Sequence, residues 1–220
     1  AISWQDNPVS LVSDQWVLCS ARAITDIDSN KVQFVGLGGT FKPRYNPDET
    51  YGVATKYIHP QYNSSYSVVY NSIALIQLDR RVTFTARILP ACLHTSTPLP
   101  DSGYIHIERD YYSGKDEKTT MQRVSQEECS RAFPTGGYYH PAGVKHDQEI
   151  CSRPVNTTGG FEGWNFGAPL TLYNSPRVAC THLLVGLKSD SSSYIVTSIR
   201  ISSFVPWIEG IVWPENGVVV

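Results

Sequence analysis

Short β-branched and aromatic runs, each closed by a turn signal, set the narrowest limit on what this chain can become. Residues 9–12, 16–19, 31–37, 52–58, 73–78, 168–173, 183–188 and 194–201 read as strands, punctuated by Asn-Pro, Gly-Gly or Asn-Ser. Most are too short for helices, and many strands at this spacing predict a barrel or sandwich. The last stretch differs. From Ser203, residues Phe204, Trp207, Ile208 and Ile211 recur at helical spacing, with Ser203 as N-cap, Pro206 in the first turn and Pro214 as the stop. With 220 residues the chain is long enough for one large domain or two small ones, burying roughly 70% of its unfolded surface. Charged residues are only 17% and the net charge is -2, which argues against disorder and against a nucleic-acid binder working through basic charge. No run of 18 apolar residues is present, so no membrane span is expected.

Two sequons, Asn63-Ser64-Ser65 and Asn156-Thr157-Thr158, lie in polar, turn-rich stretches and make Asn63 and Asn156 the glycosylation candidates. Together with five Cys they favour an oxidising, extracellular compartment and a secreted protein. No signal peptide opens the chain, which begins strand-like at Ala1-Ile2-Ser3-Trp4-Gln5, so a fragment of a longer secreted precursor is expected. The odd cysteine count fits a thiol paired outside this sequence. The stretch 106–123 carries charges of both signs and reads as a solvated loop.

Six segments, in order along most of the chain, resemble the chymotrypsin-like serine proteases. Ser10-Leu11-Val12-Ser13-Asp14-Gln15-Trp16-Val17-Leu18 resembles the SLISDQWVLTAAHC stretch leading to the catalytic histidine. Ile58-His59-Pro60-Gln61-Tyr62 resembles the HPxY turn, and Asn71-Ser72-Ile73-Ala74-Leu75 resembles NDIAL, which carries the catalytic aspartate. Pro90-Ala91-Cys92-Leu93 resembles the link between two barrels, Gly167-Ala168-Pro169-Leu170 the end of GDSGGPL, and residues 202–208 the final helix. The resemblance implies an all-β fold of two packed six-stranded antiparallel barrels with a short C-terminal helix. A single domain over 1–220 is expected, with barrel one to about 92, barrel two over about 93–202 and the helix over about 203–212.

The same alignment puts Arg22 at the histidine position, Ser72 at the aspartate position and Phe166 at the nucleophile position. Phe166 has no nucleophilic atom, and Arg22 stays protonated and cannot act as a base. The oxyanion-hole glycine position is Trp164, and the aspartate that would pair with a new N-terminus is Asn165. The tryptophan of the substrate-backbone strand is replaced by Asp190. The implied protein is a serine protease homologue without catalysis, a pseudoprotease. It would act by protein binding, as a cofactor or regulator of an extracellular protease cascade of the innate-immunity or melanisation kind, as invertebrate clip-type homologues do. A decoy or competitive inhibitor of host proteases or complement is the second reading, and a hydrolase with a non-standard site the third. Expected partners are an active protease, its zymogen or another cascade component, reached through loops 42–51, 106–123 or 133–145.

The resemblance also implies a disulfide between Cys129 and Cys151, and places Cys92 where an upstream chain is often tethered, with Cys180 as the other possible partner. Cys19 is expected to be a buried thiol. His140, His146 and Asp147 match no structural zinc spacing and read as surface residues, so no metal and no cofactor is expected. Residues 46–50 read as a turn and 42–44 as too small a basic cluster for a polyanion.

Overall fold

The computed structural model describes residues 7–25, 32–38, 50–64, 68–95, 98–109, 116–156, 165–173, 182–192 and 194–214. It is mostly β. The first sheet is ordered β1 (Ser10–Leu11), β2 (Trp16–Cys19), β5 (Ala74–Leu78), β4 (Thr50–Ile58), β3 (Phe34–Gly36), all neighbours antiparallel. The second contains β7 (Ser102–Arg109), β8 (Asp116–Arg123), β9 (Glu149–Pro154), β12 (Ile195–Arg200), β11 (His182–Ser192) and β10 (Pro169–Tyr173). Pairing of β10 with both β7 and β11 closes these six strands into a barrel, and β6 (Cys92–Leu93) joins β11 in parallel. A closed barrel, an open half-barrel sheet and a short C-terminal helix, α3 (Val205–Val212), agree with the expected fold class.

Strand alternation explains how one set of residues holds both bodies together. Val17, Ala74, Ile76 and Leu78 face the core of the first sheet. Their neighbours Leu18, Ile73 and Leu75 point the other way, onto Leu184, Leu187 and Ile199 of the closed barrel and Phe204, Ile208 and Val212 at α3. The closed barrel has its own filling of Tyr104, Met121, Ile150, Leu170, Val185 and Val196. Among the described residues no helix is long and apolar enough to cross a membrane.

Two expectations about secondary structure are corrected. The stretch 106–123 is not a solvated loop at its ends: β7 and β8 form a hairpin in which Tyr104, His106 and Met121 are buried, while residues 110–115 lie outside the described residues. Its exposed positions, Glu117 and Lys118 among them, supplied the charge that concealed the inward alternation. Ser203 does not cap α3; it sits in a 3-10 turn over Ile201–Ser203 and donates to the Asp147 carbonyl, and the helix starts after Phe204 with Pro206 in its first turn. A seven-residue helix, α2 (Gln126–Ala132), was not anticipated, although Ser125 three residues before Glu128 is a capping signal, and the Ser125 hydroxyl does accept the Glu128 amide.

The Cys129–Cys151 disulfide joins α2 to β9. Cys92 is disulfide-bonded in this structure as well; Cys180 lies outside the described residues. Cys19 is a buried free thiol that donates to the Ala74 carbonyl, and burial pushes it up to about 12, so it is no nucleophile near neutral pH.

Close packing makes one glycine of the barrel wall irreplaceable. A Cβ on Gly186 would stand 2.9 Å from the Ser198 Cβ and 3.2 Å from the Ile199 carbonyl oxygen. Gly186→Ala is expected to cost about 1–3 kcal/mol in denaturant unfolding. Gly210→Ala, on α3 with nothing within 4 Å, serves as the contrast and should leave stability unchanged or raise it.

Candidate functional site

Where the first sheet meets the closed barrel, three chain segments converge. The first is α1 (Ala21–Thr25), a short helix that follows β2 directly. Its first turn lacks an intrahelical acceptor for the Arg22 amide, and the Ser72 hydroxyl supplies one at 3.0 Å. The Ser20 and Ser72 hydroxyls are themselves 3.0 Å apart and buried. Ser72 is held there by a tight turn into β5, in which Asn71 adopts a left-handed φ of 54°. The second segment is the turn 165–168. Gly167, at φ 89°, donates to the Lys188 carbonyl, and Lys188 donates back to the Ala168 carbonyl. A Cβ at Gly167 would lie 3.1 Å from both the Pro8 carbonyl oxygen and the Ser20 nitrogen, so only glycine allows this approach between the two bodies.

The third segment is the α2–β9 connection, which brings in Tyr139. The guanidinium carbon of Arg22 lies 4.0 Å from the centre of the Phe166 ring and 4.2 Å from that of Tyr139. Arg22 as a whole is only 4% exposed. The structure thus brings Arg22, Ser72 and Phe166, the three positions singled out in the sequence, into one place. The group at its centre is a permanent cation faced by π-systems, an attraction of about 2 kcal/mol when desolvated. Trp164 and residues 157–163 lie outside the described residues, as do 42–44 and 46–49; Asn165 accepts the Ala168 amide.

Beside this stack lies a second buried cation, which sequence reading missed. His140 was expected at the surface and is buried instead. Its Nε2 is 2.9 Å from Glu149 Oε1 and its Nδ1 is 3.3 Å from Asp190 Oδ2, with the Phe133 and Tyr70 rings packed on it. Burial alone would lower the His140 pKa, but the hydrogen bonds and charges of Asp190 and Glu149 outweigh it and raise it to about 9. The imidazolium therefore clasps the α2–β9 connection to β11. Tyr70 reinforces the clasp by donating to the Gly143 carbonyl and accepting the Ala142 amide. Only the order His-x8-Glu and a charge at position 190 hinted at this, and neither is distinctive in a sequence.

A third polar cluster sits inside the closed barrel. Lys188, 1% exposed, pairs with Glu108, and His106 lies next to them with Nδ1 3.7 Å from Glu108 Oε1. Burial first, and the nearby Lys188 charge second, push His106 down to about 3, so it is neutral. A hydroxyl–imidazole contact lies at the surface, between Ser130 Oγ and His146 Nε2 at 3.1 Å, and among the described residues neither Asp147 nor another carboxylate orients that ring. No group of three metal-binding side chains is found among the described residues. Asn63 and Asn156 are both exposed.

A family model described as Trypsin matches residues 8–208. The chain belongs to the trypsin family. Within that family it is similar to serine protease Hayan of Drosophila melanogaster, 29% identical over 94% of this chain and 34% of that protein. It is similar to phenoloxidase-activating factor 3 of Holotrichia diomphalia, 33% identical over 70% of this chain and 46% of that protein. Inactive serine protease scarface of Drosophila melanogaster is 30% identical over 40% of this chain and 14% of its own length. This trypsin-family chain spans less than half the length of these relatives.

The clasp makes a pH prediction with a definite sign. The His140 pKa is raised from 6.5 to about 9 in the folded state, so its contribution is fully present below pH 6.5 and is lost as pH rises through about 9. Thermal melts of the wild type should fall across that window, and His140→Gln should flatten the fall. Equal slopes for the two proteins would count against the clasp.

Proposed function

We propose that this chain is the protease-like domain of a catalytically inactive serine protease homologue, secreted and acting by protein binding in an extracellular protease cascade. The observation that carries the reading is the Arg22 guanidinium packed on the Phe166 ring, where a general base and a nucleophile would have to meet. A guanidinium cannot accept a proton from an attacking hydroxyl, and a phenyl ring offers no attacking atom. Ser72 is occupied as the acceptor of the Arg22 amide rather than as an orienting carboxylate. Loss of all three groups removes about 10⁶ in rate. Relatives named as a phenoloxidase-activating factor and as an inactive serine protease support the same reading, and so do two exposed sequon asparagines and the disulfides.

The partners expected are an active protease, its zymogen or another cascade component. Their activation rate, measured with and without the purified chain, separates a cofactor, which raises it, from a decoy, which lowers it. Catalysis itself is tested with a broad fluorogenic peptide library. Wild type should show no turnover above background, and Arg22→Ala should change nothing. Turnover that survives purification and disappears in Ser130→Ala would instead assign hydrolysis to the surface Ser130–His146 pair and refute the binding-only reading.

A further inference from the structure

The region around β8, α2 and the end of β12 contributes no residue to the Arg22 stack and shares only Glu149 with the clasp, and it contains a cavity of about 40 Å³ lined by Leu99, Arg123, Cys129, His146, Ile150 and Arg200. That is room for about three waters, or for one small polar head group. Its floor is apolar and rigid, because Leu99, Ile150 and the Cys129–Cys151 bridge are buried. Its walls are cationic. Arg123 donates from Nη1 to the Leu99 carbonyl at 2.8 Å and stands 3.6 Å from the fully exposed Asp101 carboxylate. Arg200 donates from Nε to the Ser202 hydroxyl, and among the described residues it has no carboxylate within ion-pair distance. Each guanidinium has five N–H donors, so these contacts leave several for a ligand.

The one carboxylate in the lining does not cancel this charge. Glu149 gives Oε1 to His140 and Oε2 to the Lys145 amide, both on the side of the clasp. That the two arginines act at one place is also seen at Tyr104. Burial pushes its hydroxyl up to about 12, and Arg123 and Arg200 both pull the other way, so both lie within electrostatic reach of one oxygen.

We propose that the cavity walled by Arg123 and Arg200 is a receptor for a single carboxylate carried by an acidic segment of a protein partner. Two planar forks over an apolar floor suit a carboxylate, whose hydrogen bonds to guanidinium strengthen as water is displaced. A sulfated polysaccharide is the weaker occupant. The cavity admits one group, the chain carries a net charge of -2, and a polyanion needs an extended run of cations to release its counterions. The proposal stands whether or not the chain has lost catalysis.

The test is a titration of the full chain with acetyl-glutamyl-glycine amide, its glutaminyl counterpart and a sulfated hexasaccharide, read from the Nε–H signals of Arg123 and Arg200 by NMR. The glutamyl compound should shift both signals saturably, and the glutaminyl compound should not. Arg200→Gln should weaken binding roughly tenfold or more, with partial recovery in Arg200→Lys. Thermal melts check that each variant is folded, and Arg123→Gln replaces Arg200→Gln if the latter is not. Equal shifts with the two peptides, saturation by the hexasaccharide alone, no saturable shift, or undiminished binding by the folded variants would each overturn the proposal.

Discussion

A permanent positive charge held out of water against aromatic rings governs the centre of this molecule. A guanidinium keeps its proton at every accessible pH, so the fold had to solvate Arg22 with π-faces and a fixed backbone. Phe166, Tyr139 and the Ser72 hydroxyl provide that environment, and each comes from a different part of the chain. The site is therefore a junction. The turn bearing Phe166 rests on β11 through Gly167 and Lys188, and the same glycine touches Pro8 and Ser20 of the first body.

Around that junction the chain buries further charge. His140 lies between Glu149 and Asp190, and Lys188 lies against Glu108. Buried pairs gain little net stability, because desolvation offsets most of the attraction, but breaking one leaves an uncompensated charge. Their effect is to permit a single arrangement. The clasp and the Cys129–Cys151 bridge fix the α2–β9 connection, with Tyr138 displayed at 75% exposure. A rigid connection loses little entropy on meeting a partner, which suits a domain whose proposed work is recognition.

The architecture was legible from sequence because alternation and turn signals survive wherever strands are half-buried. Positions 16–19, 52–58 and 73–78 fall within a residue or two of β2, β4 and β5. Legibility failed where charge and burial coincide. The hairpin of β7 and β8 carries Glu108, Lys118 and Glu117 beside buried Tyr104 and Met121, and composition outweighed pattern there. Of the site, the places of Arg22, Ser72 and Phe166 could be read, because flanking motifs anchor them. The contributions of Tyr139 and His140 could not, since tertiary contact alone brings the α2–β9 connection over Arg22 and β11. A buried histidine stabilised by two distant carboxylates leaves no local signature.

The most direct test of the central claim is the intact mass of the purified chain after prolonged exposure to a fluorophosphonate. The account predicts an unchanged mass, since no hydroxyl in the junction has a base to activate it. A stoichiometric adduct, mapped by peptide sequencing to any serine of this chain, would contradict it.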